Sequence, residues 1–154
     1  MRRKVLVTLA CVVTGAQAIR FEHTNPPITG DLNAPPLVQR ALRQACYDCH
    51  SHETRWPWTA NLAPLSWLVH YDVTEGRRRL NFSRWDAYST DPGTQMQKLK
   101  NIQKAMTADD MPPWYYRLLH PDSTLSDSQH KLIVRWVAEQ IAGRPQSPEE
   151  RRPD

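Results

Sequence analysis

The chain has 154 residues, a length that fits one ordinary domain rather than two. Apolar residues make up 40% and charged residues 23% of the sequence, and the mean hydropathy is −0.66, which excludes a membrane-embedded protein. Three of the 20 basic residues stand at positions 2–4, and without them 17 basic and 16 acidic residues remain, a net charge of +1. This balance gives no indication of a nucleic-acid partner.

The N-terminus has the three parts of a secretory signal peptide. The basic residues 2–4 precede an apolar run from Val5 to Ala16, and the small-x-small triplet that ends at Ala18 fits a cleavage site. We therefore predict a signal peptide over residues 1–18. The alternative is an uncleaved N-terminal membrane anchor, although the run is shorter than the ~20 residues that span a bilayer. Both place the domain in the periplasm or on the outer side of the cytoplasmic membrane.

The elements that follow are predicted to be extended or helical. Prolines deny helix to an arm over residues 19–35. Apolar spacing, caps and turn residues then predict helices over 36–45, 64–79, 94–106 and 127–142, and a short turn over 83–88. No segment has a strand pattern, so residues 36–143 are predicted to form one all-α domain. The tail 144–154 has three prolines and alternating charges, and is predicted to be disordered.

Residues 46–50 read C-Y-D-C-H, the C-x-x-C-H pattern by which haem c is attached. One helical turn presents two thiols to the two vinyl groups of haem, and the next residue places its imidazole below the iron. A zinc site would need two more ligands and a thioredoxin-like site a βαβ context, which the sequence lacks. Cys11 lies in the predicted signal peptide, so Cys46 and Cys49 are the cysteines of the mature chain. We predict one covalent haem c, with His50 as the proximal iron ligand.

The second axial ligand is predicted to be Met111. Two prolines follow it, which disfavour helical geometry and stiffen the segment that presents the thioether. Met96 and Met106 fall on the apolar stripe of a predicted helix, where methionine usually fills the core. The alternatives to Met111 are His70, His120 and an open sixth site.

Further polar side chains follow the attachment motif. We predict that Arg55, Trp56 and Trp58 donate N–H groups to a haem propionate, with packing as the alternative for the two tryptophans. The basic run 77–79 is interpreted as a solvated helix end, with docking of a redox partner as the alternative.

Several stretches together resemble the haem-binding domain proteins of bacteria, which are similar to small single-haem c-type cytochromes. The resemblance covers about residues 20–142 and rests on N-P-P at 25–27, C-Y-D-C-H-S at 46–51, T-R-W-P-W at 54–58, L-A-P-L-S-W-L at 62–68, E-G-R at 75–77, L-N-F-S at 80–83, M-P at 111–112 and L-H-P at 119–121. It implies attachment at Cys46 and Cys49 and axial ligation by His50. Met111 matches the Met-Pro found late in cytochrome c domains.

These observations predict an all-α, cytochrome c-like fold with about four main helices around one haem. The predicted function is one-electron transfer in the periplasm, without transformation of a substrate, and with redox proteins of the periplasm or inner membrane as partners. An open or displaceable sixth site would instead make a haem-based sensor or ligand-binding module. A peroxidase would need distal acid–base groups that the sequence does not identify.

Overall fold

The computed structural model describes residues 1–143, and within them the chain forms helices and no strand. The predicted disordered tail lies outside the described residues. The helices are α1 (Arg2–Ala16), α2 (Pro36–Ala45), α3 (Tyr47–His50), α4 (Leu65–Arg79), α5 (Trp85–Ser89), α6 (Pro92–Thr107), α7 (Trp114–Leu119) and α8 (Asp127–Ala142), with 3-10 turns at Trp58–Asn61 and Pro121–Ser123. The all-α prediction is confirmed for this part of the chain.

The core forms where α6 and α2 pack against α8. The buried apolar stripes of these three helices meet the aromatic rings of Phe82 and Trp85 from the segment after α4. Tyr47 stacks on Phe82 with 5.0 Å between ring centroids, so the core reaches the C-x-x-C-H segment directly. Packing of amphipathic helices, rather than helix propensity alone, therefore positions this segment.

The ends of the long helices follow local signals in the sequence. At α8, the Ser126 hydroxyl accepts from the Gln129 N–H and the Gln129 side chain accepts from the Ser126 N–H, which is the predicted capping box. α6 begins two residues earlier than predicted, because the Asp91 carboxylate accepts from the N–H groups of Gly93 and Thr94 and Pro92 suits the first turn.

α1 lies outside the core, and none of its residues is buried. The residue after it is bound to the domain: Gln17 Nε2 donates to the Ala63 carbonyl at 3.2 Å, and Gln17 Oε1 accepts from the Ala63 N–H at 3.1 Å. These two bonds fix the end of α1 beside the start of α4. Among residues 1–143, no helix has the length and apolar character needed to cross a membrane.

α7 was not predicted, and contacts with distant residues hold it in place. The Tyr115 hydroxyl donates to the Asp72 carboxylate at 3.1 Å, and the Tyr116 hydroxyl donates to the Asp48 carboxylate at 2.6 Å. Asp72 belongs to α4 and Asp48 to α3. α7 therefore ties the loop that contains Met111 to the two helices beside the cysteines.

Candidate functional site

The C-x-x-C-H segment folds as the predicted helical turn. After α2 ends, the N–H groups of Cys49 and His50 donate to the Cys46 carbonyl at 3.2 and 2.9 Å. Cys46, Cys49 and His50 all line one cavity of about 180 Å³. The local turn thus brings two thiols and an imidazole to a single cleft.

The backbone at the C-terminal end of α4 and of Leu80, the residue after it, orients the His50 ring. His50 Nδ1 lies 2.9 Å from the Gly76 carbonyl oxygen and 3.1 Å from that of Leu80. A carbonyl oxygen only accepts, so these contacts assign the proton to Nδ1 and leave Nε2 with a free lone pair. Burial lowers the pKa of His50, which keeps the imidazole neutral at pH 7. A neutral imidazole with its second nitrogen hydrogen-bonded is the form that ligates metals.

A close helix crossing makes these bonds possible. A Cβ atom on Gly76 would lie 2.3 Å from the Cys49 carbonyl oxygen, a distance that atoms cannot share. Glycine therefore allows α4 to approach α3 closely enough for its carbonyl to reach His50. The His50 carbonyl is used as well, since it accepts from the Phe82 N–H at 2.7 Å.

A second cavity of about 480 Å³ adjoins the first. Cys46, His50, Arg79 and Met111 line both cavities, whereas Cys49 lines only the smaller one. One cleft thus offers two thiols, an imidazole and a thioether to a single ligand. These are the groups that a covalent haem with His and Met ligation uses, so the residues present fit haem.

Burial controls the chemistry of the two thiols. It raises the pKa of Cys46 to about 12, and burial together with the charges of Asp72 and Asp48 raises that of Cys49 to about 12. A redox-active C-x-x-C site requires the opposite shift, toward a stable thiolate. No group of three His, Cys, Asp or Glu side chains suited to a metal ion occurs within residues 1–143.

The candidate sixth ligands lie in different places. Met111 lines both cavities and is 39% exposed. Met106 is buried in the core, as predicted, but also lines the larger cavity, while Met96 lines neither. His70 lines neither of these cavities and stacks on Phe21. His120 stacks on Tyr116 and, with Cys49, lines a third cavity of about 60 Å³. The geometry therefore leaves Met111 as the main candidate and Met106 as its rival.

Trp56 and Trp58 line none of the cavities beside the cysteines, whereas Arg55 lines the third cavity together with Cys49 and Asp48. Arg55 forms an ion pair with Asp48 at 2.8 Å, and Trp58 is 74% exposed. Trp56 stacks on His23 with 4.7 Å between centroids, and its buried indole Nε1 has no partner among residues 1–143. Their predicted contact with a haem propionate stays a prediction.

Arg77 fastens the N-terminal arm to the C-x-x-C-H segment. Its guanidinium donates to the Ser51 and Thr24 carbonyls at 2.7 and 3.0 Å, to Asn25 Oδ1 at 2.8 Å and to Thr54 Oγ1 at 2.9 Å. The interpretation of this residue as part of a solvated helix end is wrong, since Arg77 is half-buried, although the next two arginines are exposed. Several segments that carry the resemblance thus meet in one hydrogen-bond network.

We expect Arg77→Leu to lower the free energy of unfolding by about 2–4 kcal/mol, because the buried acceptors on Ser51 and Thr54 lose a charged donor, together with the exposed acceptors on Thr24 and Asn25. Urea unfolding of the purified protein measures this loss. Arg78→Leu is the matched control, since within residues 1–143 Arg78 bonds only Glu75, at the surface. A loss in the control as large as that in the Arg77 variant would contradict the assignment.

Asp48, between the two cysteines, accepts three bonds from Arg55 and one from Tyr116. Burial alone would raise its pKa, but the bonds from Arg55 and Tyr116 outweigh burial and hold the pKa below its ordinary value. A lowered pKa stabilises the fold above the unfolded-state value of about 3.9 and loses that effect as the pH falls further.

The stability difference between wild type and Asp48→Asn is therefore expected to stay constant from pH 7 to about pH 5 and to shrink below about pH 4. Unfolding titrations at a series of pH values measure it. A difference that grows in acid would show that the pKa of Asp48 is raised instead.

The all-α fold and a cleft lined by two thiols, an imidazole and a thioether are typical of the class of proteins that bind haem. The chain belongs to the haem-binding domain family, whose family model matches residues 5–139. It is also 27% identical over 100 residues to the cytochrome c peroxidase Ccp of Escherichia coli (strain K12). That match covers 64% of this chain and only 22% of the relative's length. No solved structure matches the chain.

Proposed function

We propose that the protein is a c-type haem protein that carries single electrons outside the cytoplasm. In this proposal Cys46 and Cys49 hold the haem through thioether bonds, and His50 and Met111 ligate the iron. The observation that carries it is the pair of bonds from His50 Nδ1 to the carbonyls of Gly76 and Leu80. They leave Nε2 as the free ligand atom in the cleft that both thiols and Met111 line.

When bound, the haem supplies an iron that gains and loses one electron. The carbonyls of Gly76 and Leu80 hold the imidazole in one orientation and increase the basicity of Nε2 by accepting from Nδ1. The thioether of Met111 would raise the potential of a bound iron relative to a second imidazole. An imidazole that is held in one orientation by two carbonyls rearranges little when the iron changes its oxidation state, which suits an electron carrier.

The packing around the cleft supports a cytochrome c-like arrangement. α2 leads directly into the attachment turn, and both α2 and α6 pack against α8. The cleft therefore lies beside a three-helix core rather than inside a sheet. We propose this relationship from the arrangement of the helices and the position of the ligands.

A haem-based sensor or ligand-binding module is the second candidate. The observation that favours it is the position of Met111 in the loop between α6 and α7 rather than within a helix. A ligand held only by a surface loop is more easily displaced than one on a packed helix. The two candidates therefore differ in how firmly Met111 binds.

Optical spectra of the purified ferric and ferrous protein, with and without carbon monoxide, test the proposal. We expect a methionine-to-iron charge-transfer band and slow or no carbon monoxide binding in the wild type. Met111→Ala should lose the band and bind carbon monoxide readily, while the volume-conserving Met106→Leu should keep the band. Rapid binding to the wild type would support the sensor, and loss of the band only in Met106→Leu would assign the ligand to Met106.

We also propose a location in the periplasm or at the outer side of the cytoplasmic membrane, with redox proteins there as partners. The basic and apolar N-terminal pattern supports it. The bonds between Gln17 and Ala63 favour a retained N-terminal tether, because cleavage after Ala18 would remove Gln17. The mass of the mature chain, measured in membrane and soluble fractions, decides between tether and cleavage.

A further inference from the structure

The two cavities of the cleft differ in charge. The smaller cavity is lined by the carboxylates of Asp48, Asp72 and Glu75 and by one cation, Arg79. The larger cavity has four cations and one carboxylate in its lining: Arg78, Arg79, Lys98, Lys104 and Asp110. An anionic part of a ligand is therefore favoured in the larger cavity.

The positions of the two cysteines favour the same arrangement, with the anionic edge of a haem in the larger cavity. Haem carries its two vinyl groups toward one edge and its two propionates on the opposite edge. Both cysteines line the smaller cavity, and Cys49 does not line the larger one. Attachment at both thiols would hold the vinyl groups at the smaller cavity, which both cysteines line, and would leave the larger cavity to the propionates.

Two of the cations have capacity to bind carboxylates. Arg79 reaches Glu75 at only 3.5 Å, and 68% of its side chain is exposed. Lys104 is exposed and has no ion-pair partner among the described residues. Lys98 is engaged, since its ammonium donates to the Arg79 carbonyl and lies 5.1 Å from the Tyr88 ring centroid. The Lys98 ammonium is therefore already engaged within the protein. The side chains of Arg79 and Lys104 have N–H donors with which to bind carboxylates.

We infer that Arg79 and Lys104 bind the two propionates of the haem. The inference rests on the proposed function, and it places the propionates away from Arg55, Trp56 and Trp58. Ferric haem carries one more positive charge than ferrous haem, so cations at the propionates disfavour the ferric form and raise the potential. The two side chains thus have a measurable effect on the redox equilibrium.

The test compares midpoint potentials of the purified holoprotein at one pH and ionic strength. Arg79→Gln with Lys104→Gln should lower the midpoint potential by about 59 mV. For one electron this corresponds to a change on the order of tenfold in the redox equilibrium constant. Arg79→Lys with Lys104→Arg should retain most of the wild-type potential. Arg40→Gln with Arg135→Gln is the control, because it removes the same charge from exposed sites outside both cavities.

Covalent haem content is measured first in every variant. A wild type without covalent haem overturns the proposed function and this inference together. A wild type with normal haem, and a potential that falls no further in the Arg79 and Lys104 variant than in the control, overturns the inference alone. A fall confined to the Arg79 and Lys104 variant, with recovery in the conservative pair, supports it.

Discussion

The double variant Cys46→Ala with Cys49→Ala should contain no covalently attached haem. Each thioether forms from one thiol and one vinyl group, and no other cysteine lines the cleft to replace the pair. The expected loss is complete, whereas each single variant keeps one thioether. Haem staining of a denaturing gel, together with a pyridine haemochrome assay, measures what remains bound after unfolding.

Cys11→Ala is the matched control for this experiment. Cys11 is exposed on α1, away from the cavities, so its removal should leave the covalent haem content unchanged. Haem that survives denaturation in the double variant would refute thioether attachment. Haem bound by the double variant but released on denaturation would still agree with ligation by His50.

Gly76→Ala should be among the most destabilising single substitutions in the chain, with an expected loss of at least about 3–5 kcal/mol in the free energy of unfolding. The added methyl group would lie 2.3 Å from the Cys49 carbonyl oxygen, which is backbone and cannot rotate away. The two helices must separate, and the Gly76 carbonyl then moves away from His50 Nδ1. We therefore expect a lower yield of haem-loaded protein as well as a lower melting temperature.

Gly93→Ala provides the comparison, because the same methyl group there would meet Asp91 Oδ1 at 3.5 Å, an ordinary contact. Alanine is favoured over glycine in a helix by about 1 kcal/mol, so this control should be as stable as the wild type or more stable. Adding one methyl group is thus expected to lower the free energy of unfolding at Gly76 and to preserve or raise it at Gly93. A Gly76 variant with wild-type stability and haem content would rule out the close crossing.

Local signals account for the parts of the fold that could be predicted. The capping box at Ser126 and Gln129, the prolines before α2 and the C-x-x-C-H turn all act within a few residues, so the sequence alone reveals them. The predicted start of α6 is two residues late because D-P-G at 91–93 is also typical of a turn, whereas Asp91 in fact caps the helix. Polar side chains followed by proline and glycine would have indicated that cap.

The rest of the site depends on contacts between distant segments. The acceptors of His50 belong to residues 26 and 30 positions later, and no local pattern connects them. α7 has no cap or clear apolar stripe, and its tyrosines are held by Asp48 and Asp72. Arg77 is the first of three consecutive arginines, so the sequence does not distinguish it from its two exposed neighbours. Only its contacts with the N-terminal arm explain why Arg77 is half-buried.

The raised pKa of the two thiols affects the apoprotein before any haem is attached. Oxidation of neighbouring cysteines to a disulfide proceeds through the thiolate. At pH 7 a thiol with a pKa of about 12 is almost entirely protonated, so the folded apoprotein presents very little of the reactive species. In the oxidising compartment proposed here, the raised pKa of Cys46 and Cys49 would therefore slow the formation of a disulfide between them before haem is attached.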